Sequence, residues 1–265
     1  LPAMALLAHT LALLAMTMAT AIAIKVVPLD MARDSFDDQY RGCSPAMITA
    51  LPSLYGFEYQ RNPHFARGWY HADAEWRKRG SHVSPLASPG QAVAVMAYTM
   101  KYLYKEFNAA VRTAGHSSQE YRNNFHFKTL HFLLTDALGT LRHAQKGKCH
   151  HVFRGVRGVH FKTWHGQRVR FGQFTSTSLS KEVAQKYGTD TIFEVHTCHG
   201  VDIQAFSYDP GNREVLIPPF ETFKVTDVNR EGSTLNIELR SIGNSSNYNC
   251  EWLRGDILGT TRGDG

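Results

Sequence analysis

Near residue 145 the apolar residues of this chain change their spacing, and this change limits the folds that the chain can adopt. Before that point, apolar residues recur at helical intervals, and two of the helical stretches open with a Ser-Pro pair, which is typical of helix starts. We expect three helices in this half of the chain. The first runs from Ser44 through Leu54, the second from Ser88 to Gly115, and the third from about Ser118 to Ala144.

After residue 145 the apolar stretches are short and are separated by glycine and proline, which is typical of strands. The expected strands are Val152–Arg154, Val169–Phe171, Phe174–Ser178, Thr191–His196, Glu214–Ile217, Thr222–Val228 and Thr234–Arg240. Helices followed by strands predict an α+β fold, in which an N-terminal helical region packs on a mainly antiparallel C-terminal β-sandwich.

The first 24 residues carry no charged side chain, and the run from Ala5 to Met18 is rich in alanine, leucine and methionine. This pattern predicts a signal peptide at residues 1–23, with cleavage between Thr20 and Ile24, and a membrane anchor is the alternative. Residues 24–265 are then expected to form a single domain, helical at about 24–145 and β at about 146–252. Its polar tail, 253–265, argues against a hydrophobic signal for lipid anchoring. We therefore expect a monomer without a membrane anchor, secreted or held in secretory granules.

Four cysteines, an even number, fit two disulfide bonds in an oxidising compartment. They are Cys43, Cys149, Cys198 and Cys250. The residues alone leave three pairings open. A zinc site is the alternative, but no CxxC spacing supports it.

Several short motifs concern surface chemistry. Histidines cluster at positions 143, 150, 151, 160 and 165, but without HxxxH spacing or a supporting carboxylate, so we expect surface histidines and no metal. The sequon at Asn244 predicts glycosylation. Arg254-Gly255-Asp256 and Arg262-Gly263-Asp264 match an adhesion tripeptide, which makes an integrin partner a further hypothesis.

One stretch of the chain carries positive charge alone, since no acidic residue lies between Asp136 and Glu182. Its basic residues are Arg142, Lys146, Lys148, Arg154, Arg157, Lys162, Arg168, Arg170 and Lys181. Such a field suits an anionic ligand. Nucleic acid or heparin is one candidate. The interspersed glycines and the lack of a nucleic-acid-binding signature favour a small phosphate ligand, and we expect no nucleic-acid partner.

Four segments combine residues that carry chemistry. They are Phe125–Ala137 (FHFKTLHFLLTDA), Val152–Val156 (VFRGV), Phe171–Ser178 (FGQFTSTS) and Asn212–Glu221 (NREVLIPPFE). Together they resemble the helical signature and the Arg–Ser–Glu signature of the vertebrate arginine-specific mono-ADP-ribosyltransferases, which are related to some bacterial toxins. The resemblance extends from about Val27 to Trp252.

The resemblance implies an enzyme that cleaves NAD(P), releases nicotinamide and transfers ADP-ribose to arginine side chains of proteins. This cleavage develops positive charge at the anomeric carbon, which a carboxylate beside the ribose stabilises. The family assigns that role to Glu214, phosphate binding to Arg154 and orientation of the carboxylate to Ser176. Gly155 would let the backbone approach the nicotinamide.

Further properties follow from the same resemblance. Additional NAD contacts are implied for Tyr98, Gln173 and Ser207. The disulfide pairing that it favours is Cys43–Cys250 with Cys149–Cys198. NAD is then the expected substrate.

Asn212 departs from the family pattern, which has Glu-x-Glu before this strand. The first glutamate is assigned there to activating the acceptor guanidinium, and an amide supplies neither charge nor a basic site. In an extended strand Asn212 would share a face with Glu214, whereas a turn residue after Pro210-Gly211 would have no such role. The alternatives are therefore an NAD glycohydrolase with weak transfer, or a non-catalytic binding or adhesion protein.

Overall fold

The computed structural model describes residues 23–254. Residues 1–22 of the expected signal peptide and residues 255–265, which contain most of both adhesion tripeptides, lie outside this range. In the part that is described, no helix has the length and apolar character needed to cross a membrane.

The described elements follow the expected order, with helices before most of the strands. The helices are α1 (Ser44–Arg61), α2 (Pro63–Lys78), α3 (Pro89–Thr99), α4 (Tyr104–Ala114), α5 (Ser118–Asn124), α6 (Lys128–Ala144) and α7 (Lys181–Gln185). The strands are β1 (Lys25–Pro28), β2 (His150–Val156), β3 (Val159–Lys162), β4 (Arg168–Val169), β5 (Thr175–Ser178), β6 (Thr191–Thr197), β7 (Val201–Asp202), β8 (Glu214–Ile217), β9 (Glu221–Glu231) and β10 (Thr234–Asn244).

The main sheet has the strand order β4-β9-β10-β6-β2-β5-β8-β7. Neighbouring strands are antiparallel except β10 and β6, so the expected α+β class with a mainly antiparallel sheet is confirmed. Strands β1 and β3 pair in parallel as a separate two-stranded sheet. The chain therefore carries strands at positions 25–28, 159–162 and 201–202 that the sequence analysis did not anticipate.

The main sheet folds onto itself at β2 and β5, which pair through Phe153 and Ser178 alone. Val195 and Phe223 from one half of the sheet share a buried cluster with Val215 from the other half. The two halves thus pack face to face, as in a sandwich. Leu216, which alternates with Val215 along β8, points instead into the core of the helical region.

Helix α2 is absent from the sequence-based expectations, although a start signal precedes it. The Asn62 side chain accepts hydrogen bonds from the N–H groups of His64 and Phe65, at 3.1 and 3.2 Å. Pro63 occupies the first helical position, where its missing N–H costs nothing. An Asn-Pro pair is therefore as informative here as the two Ser-Pro pairs.

The second expected helix is broken near Met100, where the backbone is extended with ψ at 155°. Leu103 in this break is fully buried against α2. A Cβ atom at Gly68 of α2 would lie 2.9 Å from the Cβ of Leu103, so the two segments approach closely. The break lets Leu103 enter the core and redirects α4.

The third expected helix is also broken, at residues 125–127. Glu58 of α1 accepts hydrogen bonds from the N–H groups of Lys128 and Thr129, at 2.6 and 2.9 Å. A carboxylate from a distant helix therefore caps α6 and defines where it starts. Helical periodicity along one segment carries no information about such a contact.

Both disulfides implied by the resemblance are present, so the predicted pairing is confirmed. Cys43 is bonded to Cys250 and Cys149 to Cys198. The outer bond joins residues separated by 207 positions, whereas the inner one spans 49.

Two buried carboxylates hold the same C-terminal segment without a covalent bond. Asp37 and Asp38 accept hydrogen bonds from backbone N–H groups at 247–248 and 250–251. Arg170 forms a buried salt bridge with Asp37. Arg170 therefore has a structural partner and is not available to an anionic ligand.

The expected surface histidines are only partly on the surface. His143, His151 and His165 are exposed and His150 is half-buried, but His160 is buried. His160 points inward from β3, and its Nε2 lies 3.3 Å from the Ser233 carbonyl oxygen. The expectation was wrong for His160, since the strand that turns this ring inward was not anticipated.

Candidate active site

A cavity of about 490 Å³ lies between the helical region and the sheet. Residues of α3 and α4 line one side of it, and residues of β2, β5, α7 and the start of β8 line the rest. The cavity brings together most of the predicted site residues, namely Tyr98, Arg154, Gly155, Ser176, Asn212 and Glu214.

Glu214 lies where a tight turn meets a strand. Residues Pro210–Asn212 form a 3₁₀ turn, Arg213 adopts the left-handed conformation with φ at 47°, and β8 begins at Glu214. Strand pairing puts Glu214 opposite Ser178 on β5, so their side chains share one face of the sheet. This face is the one that meets the helices.

Glu214 is only 6% exposed. Its Oε2 accepts a hydrogen bond from the Ser207 hydroxyl at 3.3 Å. Burial raises the pKa of Glu214, while the hydroxyls of Ser176 and Ser207 and the charge of Arg154 act in the opposite direction. A negative charge in this place is weakly screened and interacts strongly with any cation that forms in the cavity.

Arg154 enters the cavity from β2. Its Nη1 donates a hydrogen bond to the Ser176 carbonyl oxygen at 2.7 Å, which fixes the guanidinium against β5. Burial lowers the pKa of Arg154, and the nearby Tyr98 and Glu214 oppose that shift. An arginine stays charged in proteins and has five N–H donors, so further donors remain for a phosphate oxygen.

Tyr98 joins the helices to the sheet at the back of the cavity. Its hydroxyl donates to the Phe174 carbonyl oxygen at 2.7 Å, and the Asn108 amide donates to the same oxygen at 3.0 Å. Burial raises the pKa of Tyr98 to about 12, so the phenol is protonated at neutral pH. Because its proton is already donated, Tyr98 positions the start of β5, and with it Ser176.

Gly155 is required by packing inside the protein. A Cβ atom at this position would lie 2.3 Å from the carbonyl oxygens of both Ala184 and Gly188. Helix α7 and the turn after it thus lie directly against β2. The absence of a side chain at Gly155 therefore permits an approach of backbone to backbone, and the implied contact of Gly155 with nicotinamide stays a prediction.

Asn212 does not lie in an extended strand, so that premise was wrong. It ends the 3₁₀ turn, and the left-handed Arg213 separates it from β8. Asn212 nevertheless lines the cavity together with Glu214. Its Oδ1 accepts a hydrogen bond from the Tyr187 hydroxyl at 3.1 Å, and its carbonyl oxygen accepts one from Ser178 at 2.8 Å.

Two of the implied NAD-contacting residues lie outside the lining of this cavity. Gln173 is hydrogen-bonded through its Oε1 to Arg112. Ser207 is buried, and its hydroxyl donates a hydrogen bond to Glu214, which does line the cavity.

The lining also contains polar residues that the sequence analysis did not single out: Tyr104, Lys105, Asn108 and Tyr187. The first three belong to α4, which reaches the cavity because the chain turns at Met100. Tyr187 follows α7, a short helix that was not expected either. The α4 residues could have been placed at the cavity if the helix break near Met100 had been predicted. No sequence motif singles out Tyr187.

The basic stretch is not gathered at one site, contrary to expectation. Arg154 and Arg157 line the cavity, Arg170 is paired with Asp37, and Arg142 lines a separate cavity of about 320 Å³. Adjacent positions point to opposite faces of a strand, so neighbours in sequence are separated in space.

One group of potential metal ligands occurs in the described range. Ligand atoms of Cys149, His196 and Cys198 lie within 4.8 Å of one another. Both thiols are consumed by the inner disulfide bond, so a single imidazole remains. This group does not fit the closed ligand set that zinc requires.

Comparison with known proteins assigns the chain to a family. The family model for NAD:arginine ADP-ribosyltransferases matches residues 29–247. The chain is 51% identical to the erythroblast NAD(P)(+)–arginine ADP-ribosyltransferase of Gallus gallus, over 87% of this chain and 78% of that protein. It is 46% identical to the GPI-linked NAD(P)(+)–arginine ADP-ribosyltransferase 1 of Homo sapiens, over 86% and 75%.

Solved structures agree with the sequence comparison. A mutant of the eukaryotic mono-ADP-ribosyltransferase ART2.2 in complex with NAD superposes with a TM-score of 0.73 at 36% identity. The match covers 85% of this chain and 98% of that one. The predicted resemblance is thereby confirmed, and the chain belongs to the NAD:arginine ADP-ribosyltransferase family.

Proposed function

We propose that this protein cleaves NAD at the nicotinamide–ribose bond and transfers ADP-ribose to arginine side chains of acceptor proteins. The observation that carries the proposal is the buried Glu214 carboxylate, which shares a cavity with the Arg154 guanidinium. Family membership and the NAD complex of ART2.2 support the choice of NAD as the substrate.

In this proposal Glu214 acts on charge that develops during the reaction. As nicotinamide departs, the ribose becomes oxocarbenium-like, and a fixed carboxylate beside it stabilises the transition state more than the ground state. Removing one such preorganised group typically costs about 10²–10³ in rate. Ser207 holds the carboxylate by a hydrogen bond, and both Ser207 and Ser176 oppose the effect of burial on its pKa.

The other residues position the substrate. We assign phosphate binding to the Arg154 N–H groups that its hydrogen bond to Ser176 leaves free. Tyr98 and Asn108 fix the strand that carries Ser176. The apolar and aromatic lining on the α7 side would exclude water from the ribosyl cation.

An NAD glycohydrolase with weak transfer is the second candidate function, and Asn212 favours it. Its amide cannot take a proton from an incoming guanidinium, and its Oδ1 is hydrogen-bonded to Tyr187. Water would then capture more of the ribosyl cation. The two candidates share the cleavage step and differ in the acceptor.

One experiment separates these functions. The protein is incubated with labelled NAD and an excess of an arginine analogue, and nicotinamide, free ADP-ribose and the ADP-ribosylated analogue are measured. The labelled analogue as the main product supports transfer, and free ADP-ribose as the main product supports the glycohydrolase. If the wild type releases no more nicotinamide than a blank that contains the Glu214→Gln variant, both candidate functions are contradicted. The same assay with NADP tests the wider cofactor range.

We further propose that the protein acts outside the cell, secreted as a monomer without an anchor. Two disulfide bonds fit an oxidising compartment. Because the human relative is named as GPI-linked, the test assays culture medium before and after phospholipase treatment of the cells. Activity in the medium before treatment supports free secretion, and activity released only by the phospholipase contradicts it. Size-exclusion chromatography of the secreted protein tests the monomer.

A further inference from the structure

A row of basic side chains crosses five neighbouring strands of the main sheet. Each member lies directly opposite the next in the strand pairing. The row consists of Arg168 on β4, Lys224 on β9, Arg240 on β10, His196 on β6 and His151 on β2. Because directly paired residues point to the same side, all five side chains lie on one face of the sheet. We refer to these five residues as the basic row.

The face that carries the basic row is turned to solvent. Arg168, Lys224, Arg240 and His151 are exposed, and His196 is half-buried. The residues that alternate with them are buried in the sheet core on the opposite face: Val152, Val169, Val195, Phe223 and Leu239.

Within residues 23–254, the strongest charges of the basic row form no salt bridge. In the described part of the chain, the salt bridges within 4.0 Å include none from Arg168, Lys224 or Arg240. Like charges directly opposite each other destabilise a sheet. An anion lying over the row would relieve that repulsion.

A second row, of acidic residues, runs beside the basic one. Glu238 on β10 pairs with Asp227 on β9 and with Glu194 on β6. Glu238 lies two residues before Arg240, which is a distance of about 7 Å along a strand. Glu194 reaches across to His151, with 3.1 Å between Oε1 and Nε2. Negative charge therefore borders the basic row along this side.

The dimensions of the basic row limit the kind of anion that can bind to it. Five strands have four gaps of about 4.8 Å, so the basic row is about 19 Å long. A flat anionic membrane or a nucleic-acid duplex would cover the acidic row as well and meet its repulsion. A thin, linear polyanion can follow the basic row alone.

We propose that the basic row binds a linear sulfated polysaccharide, which lies across the strands. The row is separate from the proposed active site, because none of its five residues lines the NAD cavity. A bound polysaccharide would hold the protein in place and leave the NAD cavity open.

The test measures binding of heparin to the whole protein at about 0.15 M salt, where attraction between exposed charges more than about 8 Å apart is largely screened. The variant Arg168→Gln/Lys224→Gln/Arg240→Gln removes three charges from the row. The matched control, Arg61→Gln/Lys78→Gln/Lys101→Gln, removes the same charge from helices and a loop elsewhere. We expect the row variant to bind heparin about tenfold more weakly or worse, with a shallower salt dependence, and the control to bind like the wild type.

Nicotinamide release from NAD should be the same in all three proteins, and it verifies that the variants are folded. Equal losses of heparin binding in both variants would overturn the proposal, since net charge alone would then explain it. No binding by the wild type would also overturn it. Vesicles containing anionic phospholipid and single-stranded DNA are tested in parallel. If either the vesicles or the DNA bind more tightly than heparin, a sulfated polysaccharide is the wrong ligand.

Discussion

Glu214 shows at the scale of one residue how function conflicts with stability. Its burial raises its pKa, which means that the folded protein disfavours the charged form. Catalysis by electrostatic stabilisation requires that same charged form. Arg154, Ser176 and Ser207 lower the pKa of Glu214, but they do not fully offset the effect of burial.

Glu214→Gln is expected to lower nicotinamide release by about 10²–10³-fold, because it removes the charge and keeps the shape of the side chain. The measurement is NAD turnover together with NAD affinity, which should change little. Glu182→Gln, which changes an exposed carboxylate of α7, serves as the control and should stay close to wild type. Near-native turnover of the Glu214 variant would place the catalytic carboxylate elsewhere.

The pH dependence of the same variant gives a second prediction. A carboxylate whose pKa is higher in the folded than in the unfolded protein weakens the fold as pH rises through that pKa. Glu214→Gln should therefore melt at the same or a higher temperature than wild type at pH 7, and the difference should shrink toward pH 4. Thermal unfolding across this range measures it. A variant that is less stable at pH 7 would contradict the effect of burial.

Asn212→Glu is expected to raise transfer to an arginine analogue much more than NAD hydrolysis. A carboxylate lining the cavity beside Glu214 can attract a guanidinium and accept its proton, which is commonly worth about 10²–10⁴ in rate. Gln185→Glu, on the exposed side of α7, adds the same charge nearby and should leave the ratio unchanged. An unchanged ratio in the Asn212 variant would mean that Asn212 is a turn residue alone.

At the scale of elements, the site depends on short segments held by backbone contacts. Helix α7 lies against β2 at Gly155, and the break at Met100 brings α4 to the cavity. Neither element is defined by a long apolar pattern. Their positions come from close packing and hydrogen bonding between segments that are far apart in sequence.

Gly155→Ala should destabilise the protein by about 1–3 kcal/mol, because the new methyl group meets two carbonyl oxygens at 2.3 Å. Gly56→Ala in α1 is the matched control, since no atom lies within 4 Å of the position that its new methyl group would occupy. That control should gain about 0.5–1 kcal/mol. Chemical denaturation measures both. An unchanged stability of the Gly155 variant, with a raised KM for NAD, would show that the glycine serves the ligand and not the packing.

For the whole molecule, one disulfide bond and two buried carboxylates join the N-terminal part of residues 23–254 to its C-terminal part. Chain-entropy arguments assign about 5 kcal/mol to the outer bond and about 4 kcal/mol to the inner one. Asp37 and Asp38 hold the C-terminal segment by hydrogen bonds that do not depend on the disulfide.

Cys43→Ser/Cys250→Ser should therefore lower the melting temperature more than Cys149→Ser/Cys198→Ser, while residues 247–251 stay protected from hydrogen exchange. Thermal unfolding and hydrogen exchange under native conditions measure the two effects. Complete loss of protection at 247–251 would show that the carboxylates do not hold this segment alone.

The sequence by itself determined the fold class, the family and six of the residues that meet in the cavity, but neither the α4 residues nor Tyr187. Short strands such as Glu214–Ile217 were predicted with correct bounds, because β8 is an uninterrupted apolar run with a clear polar start. The Arg–Ser–Glu residues could be found since each belongs to a local motif, which sequence spacing preserves. The disulfide pairing followed from the resemblance.

The tertiary structure alone decided where helices break, which way Asn212 faces and which basic residues act together. The Glu58 cap of α6 and the burial of Leu103 against Gly68 are contacts between distant segments. The helical periodicity of a single segment does not predict such contacts. The left-handed Arg213 turned an expected strand position into a turn. The basic row exists because strand register places distant residues side by side, which the order of residues along one strand cannot specify.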